Sequence, residues 1–217
     1  MNKKPITCVA CPLYHKGEGF VPDNVGTHPN ILMIGEAPGR TEVVKGMPFV
    51  GKAGFALHHW LIHAVPQLKI AVERGEVTFA NTLRCLPPEI QGRAYPKGEE
   101  KVQAEAHCRQ YDHFTDEIHT VVLFGESPQR AFFGEDLKAE DATDRSLGHD
   151  IKGVAGRMGR VYSRDGKRWV FAPHPAWILR QPSLVEHGQA CLKIAANTEK
   201  PVEVVYTRWD DAMGALR

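Results

Sequence analysis

Gly35-Glu36-Ala37-Pro38-Gly39, running on through Gly46-Met47-Pro48-Phe49-Val50-Gly51, is the stretch whose reading decides the fold. It follows the apolar run Ile31-Leu32-Met33-Ile34 and precedes an amphipathic segment, so it reads as a strand, a long Gly/Pro-punctuated loop and then a helix. Open α/β sheets collect ligands outside the carboxyl ends of their parallel strands, where loop amides and helix N-termini converge. Glycine permits close backbone approach, proline stiffens the loop, and Phe49 offers a flat apolar face on a rigid support. The loop outlines a pocket for something planar.

Two later runs end in the same way. Val77-Thr78-Phe79-Ala80 stops at Asn81-Thr82-Leu83-Arg84-Cys85-Leu86-Pro87-Pro88, and Trp169-Val170-Phe171-Ala172 stops at Pro173-His174-Pro175-Ala176-Trp177-Ile178-Leu179-Arg180. Strand ends thus deliver Glu36, Asn81 and His174 toward what can be one site. Each also has an ordinary explanation: Phe49 as core, Asn81 as a turn residue, His174 as a capped loop histidine. Helices are expected over 53–65, 98–118, 128–133 and 184–196, a further strand over 120–124 closed by Gly125-Glu126-Ser127, and a polar surface loop over 139–156. Strands alternating with helices predict a parallel sheet covered on both faces.

With 217 residues, 42% of them hydrophobic, the chain can bury a core as one domain. No stretch reaches the roughly 20 apolar residues of a membrane span, and MNKKPITC lacks the apolar core of a signal peptide. A soluble, cytoplasmic monomer with no membrane partner is expected. Lys and Arg total 27 against 26 Asp and Glu, so net charge carries no nucleic-acid signal and any DNA affinity must come from local clustering. Arg157, Arg160, Arg164, Lys167 and Arg168 form such a cluster on a hairpin-like stretch. It is either a solvated hairpin face or, with Arg180 and the Lys52 region, a surface that tracks phosphates.

Cys8 and Cys11 form a C-x-x-C, Cys85 lies beside the Asn81 loop, and Cys108 sits on the following helix. That spacing fits a four-thiolate site for zinc or an iron-sulfur cluster, and also unligated thiols. Cys191, in an apolar helical context, reads as a buried thiol.

Together GEAPGRTEVVKGMPFVGKAG (35–54), ANTLRCLPP (80–88) and HPAWILR (174–180) resemble the uracil-DNA glycosylase superfamily, most closely its iron-sulfur-containing family 4. The resemblance runs in order over nearly the whole chain. It implies one uracil-DNA glycosylase-like domain over 1–197, a three-layer α/β/α unit with a central, mainly parallel sheet, and a C-terminal tail over 198–217. It also implies that Cys8, Cys11, Cys85 and Cys108 are ligands of a structural 4Fe-4S cluster. The interval between Cys85 and Cys108 is longer than the family usually shows, and Gln91 to Gly98 reads as an insertion.

The implied chemistry is hydrolysis of an N-glycosidic bond in DNA, with the base flipped into a pocket. Gly35, Ala37 and Gly39 would line that pocket. Phe49 would stack on the base, Asn81 would pair with its edge, and His174 would donate to O2 as the base departs. Familiar relatives carry a water-polarising carboxylate where this chain has Ala37, so water positioning or loop bracing falls to Glu36 and Glu42. Arg157, Arg160, Lys167 and Arg180 are the expected DNA contacts. The chain departs from the family at Val43-Val44, where Asp usually follows the glutamate. Gly39 stands where uracil-restricted relatives carry a tyrosine against position 5 of the ring. Uracil is the expected base. The alternatives are a 5-modified pyrimidine, such as a modified cytosine in phage DNA, which would make this a defence protein, and a non-catalytic nucleic-acid-binding module.

Overall fold

Ile31–Gly35 forms β1 and is buried along its whole length, as a strand covered on both faces must be. The computed structural model describes residues 3–90, 93–94, 96–146 and 157–197. Within them β2 (Val77–Asn81), β5 (Thr120–Phe124), β6 (Val161–Arg164) and β7 (Lys167–Ala172) join β1 in a five-stranded sheet of order β2-β1-β5-β7-β6. Only β6 runs antiparallel, pairing with β7 as the hairpin expected from the sequence. Two short strands, β3 (Glu89–Ile90) and β4 (Arg93–Ala94), pair with each other apart from this sheet.

Side-chain alternation divides the core in two. Ile31, Met33, Phe79, Val122, Phe124 and Val170 share one face with Leu57, Leu61, Leu68 and Leu192 from the helices packed there. Leu32, Ile34, Val121, Leu123, Trp169 and Phe171 face the other way, toward Phe133 and Leu137. The helices are α1 (Arg40–Lys45), α2 (Lys52–Phe55), α3 (Pro66–Glu73), α4 (Gly98–Arg109), α5 (Glu126–Ser146), α6 (Pro175–Arg180) and α7 (Val185–Ala196). The layered α/β architecture with a mainly parallel sheet is therefore present.

Several boundaries differ from expectation. α2 continues as a π-helix over Ala56–Leu61 and a 3₁₀ turn over Ile62–Ala64, so the segment expected as one helix changes pitch twice. α4 ends at Arg109 rather than near 118. α5 extends to Ser146, through part of the stretch expected as a loop, and breaks helical geometry at Phe133 (φ −126°, ψ 19°). The break accompanies a ring packed among Tyr162, Trp169 and Phe171 at centroid distances of 5.1, 5.2 and 5.4 Å. α1, α3 and α6 were not anticipated: α1 and α6 make fewer than two turns, and α3 begins at Pro66, which read as the stop of the preceding helix. Residues 147–156, Gln91, Gly92 and Tyr95 of the 91–98 insertion, and the 198–217 tail lie outside the described residues.

Candidate active site

Parallel pairing places Gly35 opposite Asn81 at the carboxyl ends of β1 and β2. A Cβ built on Gly35 would lie 2.6 Å from Asn81 Oδ1, 2.8 Å from Phe49 Cζ and 3.5 Å from His174 Nε2. An amide, an aromatic edge and an imidazole nitrogen therefore converge where a side chain is missing. Asn81, Phe49 and His174 also line a cleft of about 320 Å³ with Ala37, Gly39 and Glu42. We expect Gly35→Ala to lower the melting temperature, because the added methyl would stand 2.6 Å from the Asn81 amide oxygen and 2.8 Å from a Phe49 ring that Phe79 and Phe124 hold in place, so both groups must shift.

Phe49 has φ 54°, in the region that favours glycine. Its backbone is held from behind: a Cβ on Gly54 of α2 would stand 1.8 Å from the Phe49 carbonyl oxygen, so only glycine fits there. Its ring packs against Phe79 and Phe124 at 5.9 and 6.0 Å. Phe49 thus belongs to the core and presents one edge to the cleft. The two explanations of this residue are not exclusive.

His174 is the N-cap of α6, its Nδ1 accepting from the Ala176 N–H at 3.1 Å. With Nδ1 an acceptor, the neutral ring carries its proton on Nε2, the nitrogen facing Asn81 and the vacant Cβ position. Burial pushes the His174 pKa below its ordinary 6.5, with Glu36 opposing and Arg180 assisting. Because the folded value is the lower one, the stability His174 contributes is present above the unfolded pKa. It is lost as pH falls through the folded value, since the unfolded chain takes up that proton first. Urea midpoints measured downward from pH 7 should show this loss, and His174→Asn, which retains a capping oxygen, should remove it.

Glu42 is buried, and both of its oxygens are engaged: Oε2 accepts from the Gly39 N–H at 3.1 Å and Oε1 from the Gly51 N–H at 2.7 Å. It ties the two ends of the pocket loop together. Val43 sits beneath Gly19, whose Cβ would meet it at 2.7 Å, while Val44 is exposed. Of the apolar pair that departs from the family, only Val43 thus packs on the N-terminal segment. Glu36 stands outside the cleft, half exposed, its Oε1 2.6 Å from Lys101 Nζ. Thr82 Oγ1 and the Leu83 N–H both donate to the Glu36 carbonyl at 2.9 Å, which fastens the loops after β1 and β2 to each other.

Of the five cations in the hairpin cluster only Arg164 is exposed, and it pairs with Asp136 and Asp165. Arg157 and Arg160 are buried, at 1% and 6% exposure, and cannot follow a solvent-borne phosphate chain. Lys167 Nζ is held by the Thr115 and Ile118 carbonyls, each at 2.9 Å, and Arg168 donates to the Ile194 and Asn197 carbonyls. These cations satisfy carbonyl groups of the fold. Of the expected DNA contacts only Arg180 is exposed beside the cleft. Arg40, Lys45, Lys52 and Lys97 are also exposed on or beside these loops.

Cys8, Cys11, Cys85 and Cys108 are unpaired and lie within electrostatic reach of one another. Burial, reinforced by the other three thiols, pushes Cys85 up to about 12, and burial pushes Cys108 up to about 11. Among the described residues no three His, Cys, Asp or Glu side chains are grouped closely enough to hold a metal ion. Lys4 closes the C-x-x-C segment by donating to the carbonyls of Leu13, Tyr14 and Gly17 at 2.8, 2.5 and 2.5 Å. Arg84, with no exposed surface, donates to Asp23, to Asp112 and to the Cys108 carbonyl. Cys191 lies buried in the main core, pushed up to about 12 by burial, as expected of a structural thiol.

The family model of the uracil DNA glycosylase superfamily matches residues 22–198. The type-4 uracil-DNA glycosylase of Pyrobaculum aerophilum is 36% identical over 183 residues, covering 82% of each chain. The chain belongs to this superfamily, in its type-4 branch. The type-4 enzyme of Sulfurisphaera tokodaii is 25% identical over 85% of this chain and 76% of that one. That of Archaeoglobus fulgidus is 37% identical over a shorter segment, 38% of this chain and 39% of that one. The family's enzyme class is that of DNA glycosylases, hydrolases of N-glycosyl bonds. The family match begins after Cys8 and Cys11 and takes in every strand of the sheet. Sequence reading missed two features here. An arginine beside Cys85 in an otherwise apolar strand exit is a visible sign of the Arg84 ion cluster, whereas nothing local marks Lys101 as the partner of Glu36.

Proposed function

We propose that the protein is a monofunctional DNA glycosylase that hydrolyses the N-glycosidic bond of a flipped-out uracil and leaves an abasic site. The convergence of Asn81, Phe49 and His174 on the side-chain-free position of Gly35 carries this conclusion. The Phe49 ring would meet the base with the edge it presents to the cleft, and the Asn81 amide would meet O4 and N3–H with one donor and one acceptor. Nε2–H of His174 would donate to O2, where negative charge gathers as the N1–C1′ bond breaks. Water then adds its hydroxide to C1′, and the departing base anion takes up a proton from solvent.

Glu42 acts as the loop brace, because both of its oxygens already accept backbone amides. Its Oε2 lies 2.8 Å from where a Gly39 Cβ would stand, on the side where related pockets wall off position 5. That supports uracil over a 5-substituted cytosine. Glu36 remains the candidate for positioning water. DNA phosphates would run over Arg40, Lys52, Lys97 and Arg180, so charge reversal at these positions should weaken binding and flatten its salt dependence, whereas Lys167→Glu should lower stability instead.

Cys8, Cys11, Cys85 and Cys108 would hold a 4Fe-4S cluster. Three buried thiols and the partly buried Cys11 lie within electrostatic reach of one another, a soft donor set suited to a cationic centre, and the likeness to the type-4 enzymes supports a cluster over zinc. When bound, the cluster cross-links the N-terminal segment, the Asn81 loop and α4, adding folding free energy there. Anaerobically purified protein should be brown and hold about four irons per chain. Stoichiometric zinc without iron would sink this assignment.

The test of function is incubation with duplexes carrying uracil or 5-modified cytosines. Alkali-labile sites should appear in uracil DNA without strand scission. Release of a 5-modified cytosine faster than uracil would move the protein to the modified-base, phage-directed reading. Binding without release from any duplex would leave a non-catalytic module.

A further inference from the structure

Lys101 belongs to α4, outside the loops that carry the converging groups, yet its ammonium lies 2.6 Å from Glu36 Oε1. Glu36, Lys101 and His174 line a second cleft, of about 250 Å³, together with Ser127 and Arg130. Among the described residues His174 is shared by this cleft and the one containing Phe49 and Asn81. One turn beyond Lys101 on the same helix face, Glu105 accepts from Ser127 Oγ at 3.2 Å. α4 therefore grips the loop after β1 through Lys101 and the loop after β5 through Glu105.

We propose that Lys101 is a positioning residue for base release, holding and neutralising Glu36 so that His174 stays a neutral Nε2–H donor. The proposal rests on the role given to His174 above. The charged groups around His174 are Glu36 from the β1 loop, Lys101 from α4, Arg180 on its own helix, Glu126 and Arg130 from α5, and Arg40, Glu42 and Lys52 on the loop and helices across the cleft. Glu42 is spent on two backbone amides, and Glu126 is paired with Arg130 at 2.5 Å. Glu36 is the carboxylate that draws a proton toward His174 against the effect of burial. Without Lys101 that carboxylate is uncompensated. A second ring proton would then settle on Nδ1, which faces the Ala176 N–H and could no longer accept from it, so the cap that orients the ring is lost.

The His174 ring is titrated by NMR in the wild type, Lys101→Met, Lys101→Arg and the double variant Lys101→Met/Glu36→Gln. Single-turnover base release is followed over the same pH range. In Lys101→Met the His174 midpoint should rise by about one pH unit, and the acid limb of the rate should move with it. Lys101→Arg should stay near wild type. The double variant should return toward the wild-type midpoint, because the charge Lys101 balances is gone. An unmoved midpoint in Lys101→Met overturns the proposal, as does a double variant still displaced as far as the single one. Because the ring titration needs no substrate, it stays decisive even if no duplex is cleaved, and that outcome would count against the glycosylase reading alone.

Discussion

Replacing His174 by alanine lowers the single-turnover rate of base release by roughly two to three orders of magnitude, while DNA affinity changes little. The reason is the tautomer. With Nδ1 committed to the Ala176 N–H, Nε2–H is the donor available at the cleft, 3.5 Å from the position a Gly35 side chain would take. A preorganised donor to a developing oxyanion in a shielded site is worth about 3 to 4 kcal/mol. Alanine also removes the helix cap, a loss of about 1 kcal/mol in stability. His174→Asn separates the two effects, since it can still cap α6 but does not present an imidazole N–H. If the asparagine variant keeps the wild-type rate, His174 serves only the helix.

The second large effect concerns Arg84. Its guanidinium has no exposed surface and meets Asp23 at 3.0 and 2.8 Å, Asp112 at 2.9 Å and the Cys108 carbonyl at 2.8 Å. Asp23→Ala leaves this cation buried with half of its compensation, which costs about 3 to 5 kcal/mol. At roughly 2 to 4 °C per kcal/mol for a chain of this size, the melting temperature should fall by about 10 °C. Metal content should fall with it, because Arg84 adjoins Cys85 and fixes the backbone at Cys108. A melting temperature within about 2 °C of wild type would show that Asp112 alone suffices to hold the arginine.

The strand ends carrying Glu36, Asn81 and His174 were legible because burial on both faces demands apolar runs, and because glycine and proline mark where such runs stop. Phe49 and Gly35 could be singled out by residue type, though not by the distance between them. α1 and α6 escaped notice because six residues make fewer than two turns, too few for an apolar face to repeat, and both follow Gly- and Pro-containing stretches that read as loop. Arg157 and Arg160 were visible as charge and misjudged as surface, since sequence counts charges but does not report burial.

By itself the sequence determined the alternation of strands and helices and the loops at which a ligand can sit, because these follow from local period, backbone permissiveness and residue chemistry. Tertiary structure alone decided what each charged group does. Glu42 became a brace by meeting two amides of its own loop, while Lys101 met Glu36 and Arg84 met Asp23 across 65 and 61 residues of chain. A charge takes its role from the partner that desolvates with it, and partners that far apart are brought together only by the packing of the whole sheet.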